Sequence, residues 1–396
     1  MKTKAIQTTM MVMIVIVSLA CQKKNTPQVW SVRMTESVMA RNPESWMIDA
    51  RDEPRWEYTQ GLVLKAILAV WERTGDQKYF DYVKSYYDKF IRDDGTIVDY
   101  KLTDYNIDRI NPGKPLFMLY KQTGDEKFKR AIYLLRDQMK THPRISTGGF
   151  WHKKIYPHQM WLDGIYMASP FLAQFAITFN EPELLEDVAN QILLMEKYAR
   201  DEKTGLLYHG YNESREQRWA DKSTGQSPNF WGRAVGWYAM ALVDVLDFFP
   251  ADHPQRQPII DVLQRLAVAI TAVQDSVTGV WYQVLDQGGR AGNYLEASAS
   301  CMFTYALLKG VAHGYLDEKY RAVGAKAYQG IIHEFIDVDA KNLVNIKNVC
   351  AVAGLGGDPY RDGSYEYYTS TEIRENDPKG VGPFILASLQ MESLRK

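Results

Sequence analysis

Cysteine is scarce in this chain of 396 residues: only Cys21, Cys301 and Cys350 occur. Three widely spaced thiols make neither a disulfide framework nor a zinc site. Cys301 and Cys350 read as small buried residues. An excess of charge is lacking too. Lys and Arg number 47 against 48 Asp and Glu, a net charge of −1. Without a basic excess to displace counterions, a nucleic-acid partner is not expected; one small anion, needing only a local positive site, is still allowed. No glycine-rich phosphate loop follows a strand pattern, and no His–carboxylate cluster has metal-ligand spacing. Nucleotide, cofactor and metal are therefore all unexpected.

What the chain does hold is ordinary globular composition, 46% hydrophobic and 24% charged, which excludes disorder and coiled-coil or collagen repeats. Aromatics reach 12%, with 10 Trp, 25 Tyr and 14 Phe. A large core uses most of these, and sugar-binding clefts use others, because flat rings pack against sugar C–H faces.

The first residues, Met1-Lys2-Thr3-Lys4, precede an apolar run from about Met10 to Ala20. A basic start and a short apolar stretch describe an export signal, and the run is short for a membrane span. Ser18-Leu19-Ala20-Cys21 resembles a bacterial lipoprotein box. On that reading residues 1–21 are the signal, Cys21 is lipidated, and 22–28 form a tether. The protein is then exported and lipid-anchored in the bacterial cell envelope, facing the periplasm, with no other membrane contact. Plain signal cleavage is the alternative. No linker interrupts 29–396, which is taken as one domain.

Strand signals are few and helical periodicity recurs. Helices are predicted near 29–42, 55–74, 77–91, 106–123, 126–141, 161–178, 182–199, 231–248, 255–275, 297–315, 318–336 and 380–395. Two kinds alternate: helices apolar nearly all round, which must be covered on every side, and amphipathic helices with one wet face. The turn between them repeats. Thr74-Gly75-Asp76-Gln77-Lys78-Tyr79 matches Thr123-Gly124-Asp125-Glu126-Lys127-Phe128, and Leu316-Asp317-Glu318-Lys319-Tyr320 is a looser copy. About six such hairpins predict an all-α fold of two concentric rings, a six-hairpin α/α toroid. An open solenoid would want polar end caps, but the last helix, Phe384 to Leu394, is apolar, which favours closure.

Polar and aromatic residues stand before each apolar helix: Trp56-Glu57-Tyr58, Asn106-Ile107-Asp108, Trp161-Leu162-Asp163, Trp231-Gly232-Arg233, Glu296-Ala297-Ser298 and Asn376-Asp377-Pro378-Lys379. In a toroid the inner helices run parallel, so these starts meet at one mouth, walled by the loops at 200–230, 276–296 and 337–379. Converging helix N-termini favour an anion. The mouth suits a ligand that is both sugar-like and acidic. Each residue also has a plainer role. Asp108 and Asp163 suit helix caps, although Asn111-Pro112 is the better cap for its helix. Arg233 suits a salt bridge, His152 and His209 suit structural histidines, and Trp161 and Trp231 suit the core.

At these positions the sequence resembles the unsaturated rhamnogalacturonyl hydrolases, glycoside hydrolase family 105. The matching stretches are Tyr105 to Lys114, Gly148-Gly149-Phe150-Trp151-His152, Tyr156 to Ala168, Tyr208-His209-Gly210, Phe230 to Trp237, Ser298-Ala299-Ser300 and Glu375 to Pro383. The resemblance implies a six-hairpin α/α barrel. It also implies an exo-acting enzyme that removes a 4,5-unsaturated uronic acid, galacturonyl or glucuronyl, from the non-reducing end of lyase-generated oligosaccharides. It places the general acid/base on Asp163 and a second essential carboxylate on Asp108. Substrate contacts fall on His152, His209, Trp231 and Arg233, with Tyr58 a shorter match and Trp161 beside Asp163. Asn212 departs from the acidic residue expected there.

Such chemistry hydrates the double bond rather than attacking the glycosidic carbon, so the usual rule relating carboxylate separation to stereochemistry does not apply. It needs a carboxyl that is protonated at rest. Trp161 and Trp231 are expected to desolvate Asp163 and Asp108 to repel its charge, and both effects raise an acid's pKa. Arg233 has a planar fork suited to the substrate carboxylate. Two other readings stay open: a different carbohydrate-active enzyme on the same toroid (saturated-sugar hydrolase, epimerase or lyase), and a non-catalytic glycan-binding lipoprotein.

Overall fold

The computed structural model describes residues 29–50 and 52–394; the expected signal, Cys21 and the expected tether lie outside the described residues. In chain order the helices are α1 (Trp30–Arg41), α2 (Tyr58–Thr74), α3 (Gln77–Phe90), α4 (Lys114–Thr123), α5 (Glu126–Thr141), α6 (Leu162–Thr178), α7 (Leu184–Ala199), α8 (Gly232–Val245), α9 (Arg256–Ala272), α10 (Ala297–Ala312), α11 (Lys319–Phe335), α12 (Tyr365–Ser370) and α13 (Pro378–Ser393). All but the short α12 match a predicted segment. The segment predicted at 106–123 is two pieces, a 3-10 helix at Ile107–Gly113 followed by α4. Pro112 accounts for the break, because it lacks an N–H and pushes the residue before it out of the α region.

The repeated turn has a physical cause. α2 ends at Gly75 (φ 70°) and α4 at Gly124 (φ 68°), left-handed positions that glycine takes without penalty. Asp76 and Asp125 then cap the next helices, accepting from the backbone N–H of Lys78 at 3.3 Å and of Lys127 at 3.0 Å.

The helices buried all round stand inside. α2 packs on α4 and its 3-10 lead, that pair on α6, α6 on α8, α8 on α10 and α10 on α13, and α13 returns to α2. The ring is closed, as predicted. α3, α5, α7, α9 and α11 cover α2, α4, α6, α8 and α10 from outside, and α1 covers α13. The sixth hairpin is thus built from the two ends of the domain. Glu392 fastens it, accepting from Ser31 N at 3.0 Å and Ser31 Oγ at 2.7 Å.

The two ends of the barrel differ. Near the C-terminal ends of the inner helices, buried Asp244 binds Lys65, Lys309 (2.9 Å) and the Tyr305 hydroxyl (2.6 Å), a polar plug. The N-terminal ends are dressed by short antiparallel pairs: β1 (Gln159–Trp161) with β2 (Gly210–Asn212), β3 (Ile336–Val338) with β4 (Val344–Ile346), and β5 (Val349–Cys350) with β6 (Ile373–Arg374). Among the described residues no helix is long and apolar enough to cross a membrane.

Candidate active site at the barrel mouth

Asp163 sits in the first turn of α6, whose N-cap is Trp161 in extended backbone. It is therefore not itself the cap. Pairing of Trp161 with Gly210 across β1 and β2 brings His209 beside the start of α6, where its carbonyl accepts from Leu162 N at 3.0 Å. His209 is fully buried and its Nε2 lies 3.1 Å from Asp163 Oδ2. The two atoms are out of line for a hydrogen bond, and neither has another hydrogen-bond partner. On the other side of the ring, His209 Nδ1 and the Tyr368 hydroxyl are 2.8 Å apart. Tyr368 comes from α12 and stacks on Trp231 (5.7 Å, 14°), which itself lies 4.8 Å from the His209 ring.

Asp108 stands in the first turn of the 3-10 helix, which Asn106 caps by accepting from Asp108 N at 3.1 Å. Asn111, predicted as the better cap, instead donates its amide to the Tyr58 carbonyl at 2.9 Å. A bridge between Asn106 and Lys153 sets the next segment against Asp108. Lys153 Nζ is 2.7 Å from Asp108 Oδ2, and His152 Nε2 is 3.4 Å from Oδ1. Burial alone would raise the Asp108 pKa; Lys153 and then His152 outweigh it and hold the carboxyl below its ordinary value. Burial likewise depresses Lys153, but Asp108 more than reverses that. His152 is pulled down to about 4 by burial, against the pull of Asp108, so it is neutral at pH 7. The expected repulsion between Asp108 and Asp163 therefore needs correction: Lys153 stands against Asp108 and offsets its charge.

Aromatic rings join the two carboxylates. His152 stacks on Trp161 (4.3 Å, 16°), and Trp161 meets His209 nearly edge-on at 5.3 Å. A side chain at Gly164 would bring its Cβ to 3.1 Å from His152 Nδ1, so glycine there admits the imidazole. Trp161 and Trp231 are 5% and 1% exposed, and their indole N–H groups donate to Gln159 and Gln283. They form walls that exclude water, not open platforms. Asp108 and Asp163 keep small exposed edges, 12% and 14% of their side chains.

Arg233 departs most from expectation. Its guanidinium is buried, donating to Ser298 Oγ (2.8 Å) and to the carbonyls of Ala351 (3.0 Å) and Cys350. Glu296, also fully buried, lies 3.5 Å away and accepts from Ala299 N (2.7 Å) and Cys350 N (3.0 Å). The fork predicted for a substrate carboxylate thus grips backbone instead. Arg233 joins α8 to the start of α10 and to β5, the plainer salt-bridge role considered for it.

Tyr58 begins α2 half-buried. Burial first, and the Asp108 charge second, push its phenol well above the ordinary value, so it stays protonated. It also lines a cavity of about 1310 Å³ between the starts of α2 and α13, with Thr59, Asp377 and Lys379. Neither Asp108 nor Asp163 lines that space. Lys153 and Tyr368 were not among the residues singled out from sequence. The only cue to Lys153 is a cation directly after His152, and Tyr368 lies in a loop without a matching motif. Among the described residues no three of His, Cys, Asp and Glu converge as a metal site.

The model of Glycosyl Hydrolase Family 88 matches residues 30–395. A solved Family 105 glycoside hydrolase from C. acetobutylicum is 48% identical with a TM-score of 0.89, covering 92% of this chain and 100% of that one. An unsaturated rhamnogalacturonyl hydrolase of Bacillus subtilis is 26% identical over 272 residues, 67% of this chain and 73% of that protein. A protein of Agrobacterium fabrum is 41% identical over 227 residues, 56% of this chain and 96% of its own.

Proposed function

The chain belongs to Glycosyl Hydrolase Family 88 and, through its near-complete match to a solved relative, to Family 105, and from that membership and the mouth's geometry we infer the reaction in detail. The protein is a glycoside hydrolase acting from the non-reducing end of lyase-generated oligosaccharides, where it removes a 4,5-unsaturated uronic acid. The observation that carries the assignment of roles is the Asp163–His209 contact: a buried carboxylate oxygen and an imidazole nitrogen, 3.1 Å apart and otherwise unpartnered, inside an aromatic enclosure.

The unsaturated uronate is an enol ether. Asp163 gives its proton to C4, leaving an oxocarbenium-like centre at C5. Water adds to C5 and returns a proton to the Asp163 carboxylate. The hemiketal opens to a ketone, and the hemiacetal left at C1 releases the aglycone. Proton transfer by a positioned acid/base contributes about 10²–10⁴ in rate. We assign Tyr368 as the donor across its 2.8 Å contact with His209 Nδ1, which puts the ring hydrogen on Nε2, 3.1 Å from Asp163 Oδ2. His209 then steadies the carboxylate each time it forms. Asp108, kept ionised by Lys153, supplies negative charge near the cationic centre. Tyr58 and His152 are polar contacts for the uronate.

The test is Asp163→Asn, which conserves shape. It is expected to keep the wild-type fold by circular dichroism and to lose nearly all decay of the ultraviolet band of the substrate double bond. Wild-type decay in this variant would remove Asp163 from the chemistry. The proposal includes an exported enzyme anchored through Cys21 in the bacterial envelope. Its support is the residue pattern Met1 to Cys21, and Cys21→Ser is expected to release the protein from the membrane fraction.

A further inference from the structure

We propose that Arg361 is a positioning residue for the active site: it fastens the loop 354–361 to Tyr156 and, through Tyr156, holds the Trp161 wall in place. This role presupposes the hydrolase reading of the mouth. Trp161 stands against His152 and His209, which stand in turn against Asp108 and Asp163. Yet it is set apart from the large core of the barrel. With Trp219, Ala220 and Leu355 it forms a small apolar cluster, against which Tyr156 and Tyr360 pack. Apart from Trp161 these residues come from loops, and loops with so little apolar burial are among the first parts of a fold to open.

Arg361 adds the polar fastening that so small a cluster needs. Its Nε donates to the Gly356 carbonyl at 2.7 Å, and its Nη2 to the Leu355 carbonyl at 3.3 Å and the Tyr156 hydroxyl at 2.8 Å. Gly356 and Arg361 also exchange backbone hydrogen bonds of 2.7 and 3.2 Å, which close the loop. A Cβ at Gly354 or Gly357 would come within 2.5 or 3.0 Å of the guanidinium nitrogens, so glycine at both places makes the room that the fork occupies. Tyr156, gripped in this way, lies nearly parallel to the Trp161 ring (5.0 Å, 20°). The loop reaches the second carboxylate as well. Gly354 N donates to the Tyr367 hydroxyl at 3.0 Å, and the next residue, Tyr368, meets His209. A planar fork can serve two carbonyls and a hydroxyl of another segment together, which an amine or an amide cannot.

The test is Arg361→Gln in the full chain, read by kcat and KM on an unsaturated uronide, by thermal unfolding, and by an NMR titration of isotope-labelled histidines. Loss of the His152→Gln signal identifies His152. In the wild type, burial holds His152 down to about 4, against the pull of Asp108 and Asp163 and with the push of Lys153 and His209. A loosened Trp161 admits water, so the His152 pKa is expected to rise towards its ordinary value of about 6.5. The expected kcat/KM falls about tenfold, the size of one charge-assisted hydrogen bond. The unfolding midpoint is expected to stay level, because the cluster lies outside the large core, and Arg361→Lys is expected to fall between wild type and Arg361→Gln. A His152 titration that does not move overturns the role, whatever the activity does. Lost activity with a fallen midpoint and an unmoved His152 overturns it too, as a general defect of folding. Should Arg361→Gln fail to fold, Tyr156→Phe, which removes only the hydroxyl that Arg361 holds, decides by the same titration. A wild-type enzyme that consumes no unsaturated uronide would strike the hydrolase reading, and the titration, which needs no substrate, still judges the latch.

Discussion

Replacing Arg233 by alanine separates two roles that one guanidinium could play. If Arg233 contacted the substrate carboxylate, its loss would raise KM and leave stability alone. The structure predicts otherwise. Glu296 is fully buried and would lose its one cation within salt-bridge distance among the described residues, and the carbonyls of Cys350 and Ala351 would lose donors together. Removing one partner of a buried ion pair costs about 3–5 kcal/mol, mostly the penalty of the bare charge left behind. Extending the size trend of thermal unfolding to a chain this long, that is a fall in Tm of roughly 5–10 °C. The assay is thermal or urea unfolding followed by circular dichroism, beside kcat and KM. Adding Glu296→Gln to Arg233→Ala removes the bare charge and should recover about 1–3 kcal/mol. Activity should fall as well, because β5 pairs with β6, which leads directly to Asp377. A raised KM with an unchanged unfolding midpoint would refute this reasoning and return Arg233 to the substrate.

Lys153→Met should relieve Asp108 of the charge that depresses its pKa, moving the acidic limb of kcat/KM to higher pH; an unmoved limb would detach Lys153 from Asp108. His142 and His152 both sit near pKa 4 in the fold because burial disfavours their cations, against about 6.5 unfolded. Between those values the unfolded chain binds more protons, so their stability contribution is complete above pH 6.5 and is lost as pH falls towards 4, by about 3 kcal/mol each. Urea midpoints that stay level from pH 7 to about 4.5 would contradict this. Tyr368→Phe removes the hydroxyl 2.8 Å from His209 Nδ1, at about 0.5–1.5 kcal/mol of stability. It should lower kcat more than it raises KM, and a change in KM alone would place Tyr368 on the substrate rather than on the imidazole.

The fold was legible because two independent patterns agreed. Burial on all sides versus one side sorts helices into inner and outer rings, and the repeated Gly-Asp turn tells where each hairpin bends. Gly75 and Gly124 carry the left-handed φ, and Asp76 and Asp125 carry the caps, so the motif is the turn's own chemistry written out. The pairing of the two chain ends into the sixth hairpin was less direct. It depends on Ser31 reaching Glu392, contacts 361 residues apart that no local pattern announces. α12 and the three strand pairs escaped for a related reason. They are two to six residues long, too short for periodicity to register, and their pairing is decided by the helices they span.

The site divides along the same line. Residues at helix starts were found because parallel inner helices must bring their starts to one mouth, and Asp163, Asp108, Tyr58 and His209 do meet there. What position could not say is where each polar group turns. Arg233 begins α8 just as Asp163 begins α6, yet one side chain faces a buried glutamate and the other keeps an open edge. The difference comes from the loop bearing β5, whose carbonyls reach Arg233 before any ligand can. Lys153 makes the converse point. An ionised Asp108 at 12% exposure is affordable only beside a cation, so once Asp108 was placed at the mouth, a nearby lysine or arginine had to exist. The bridge from Asn106 to Lys153 shows which residue answers that need.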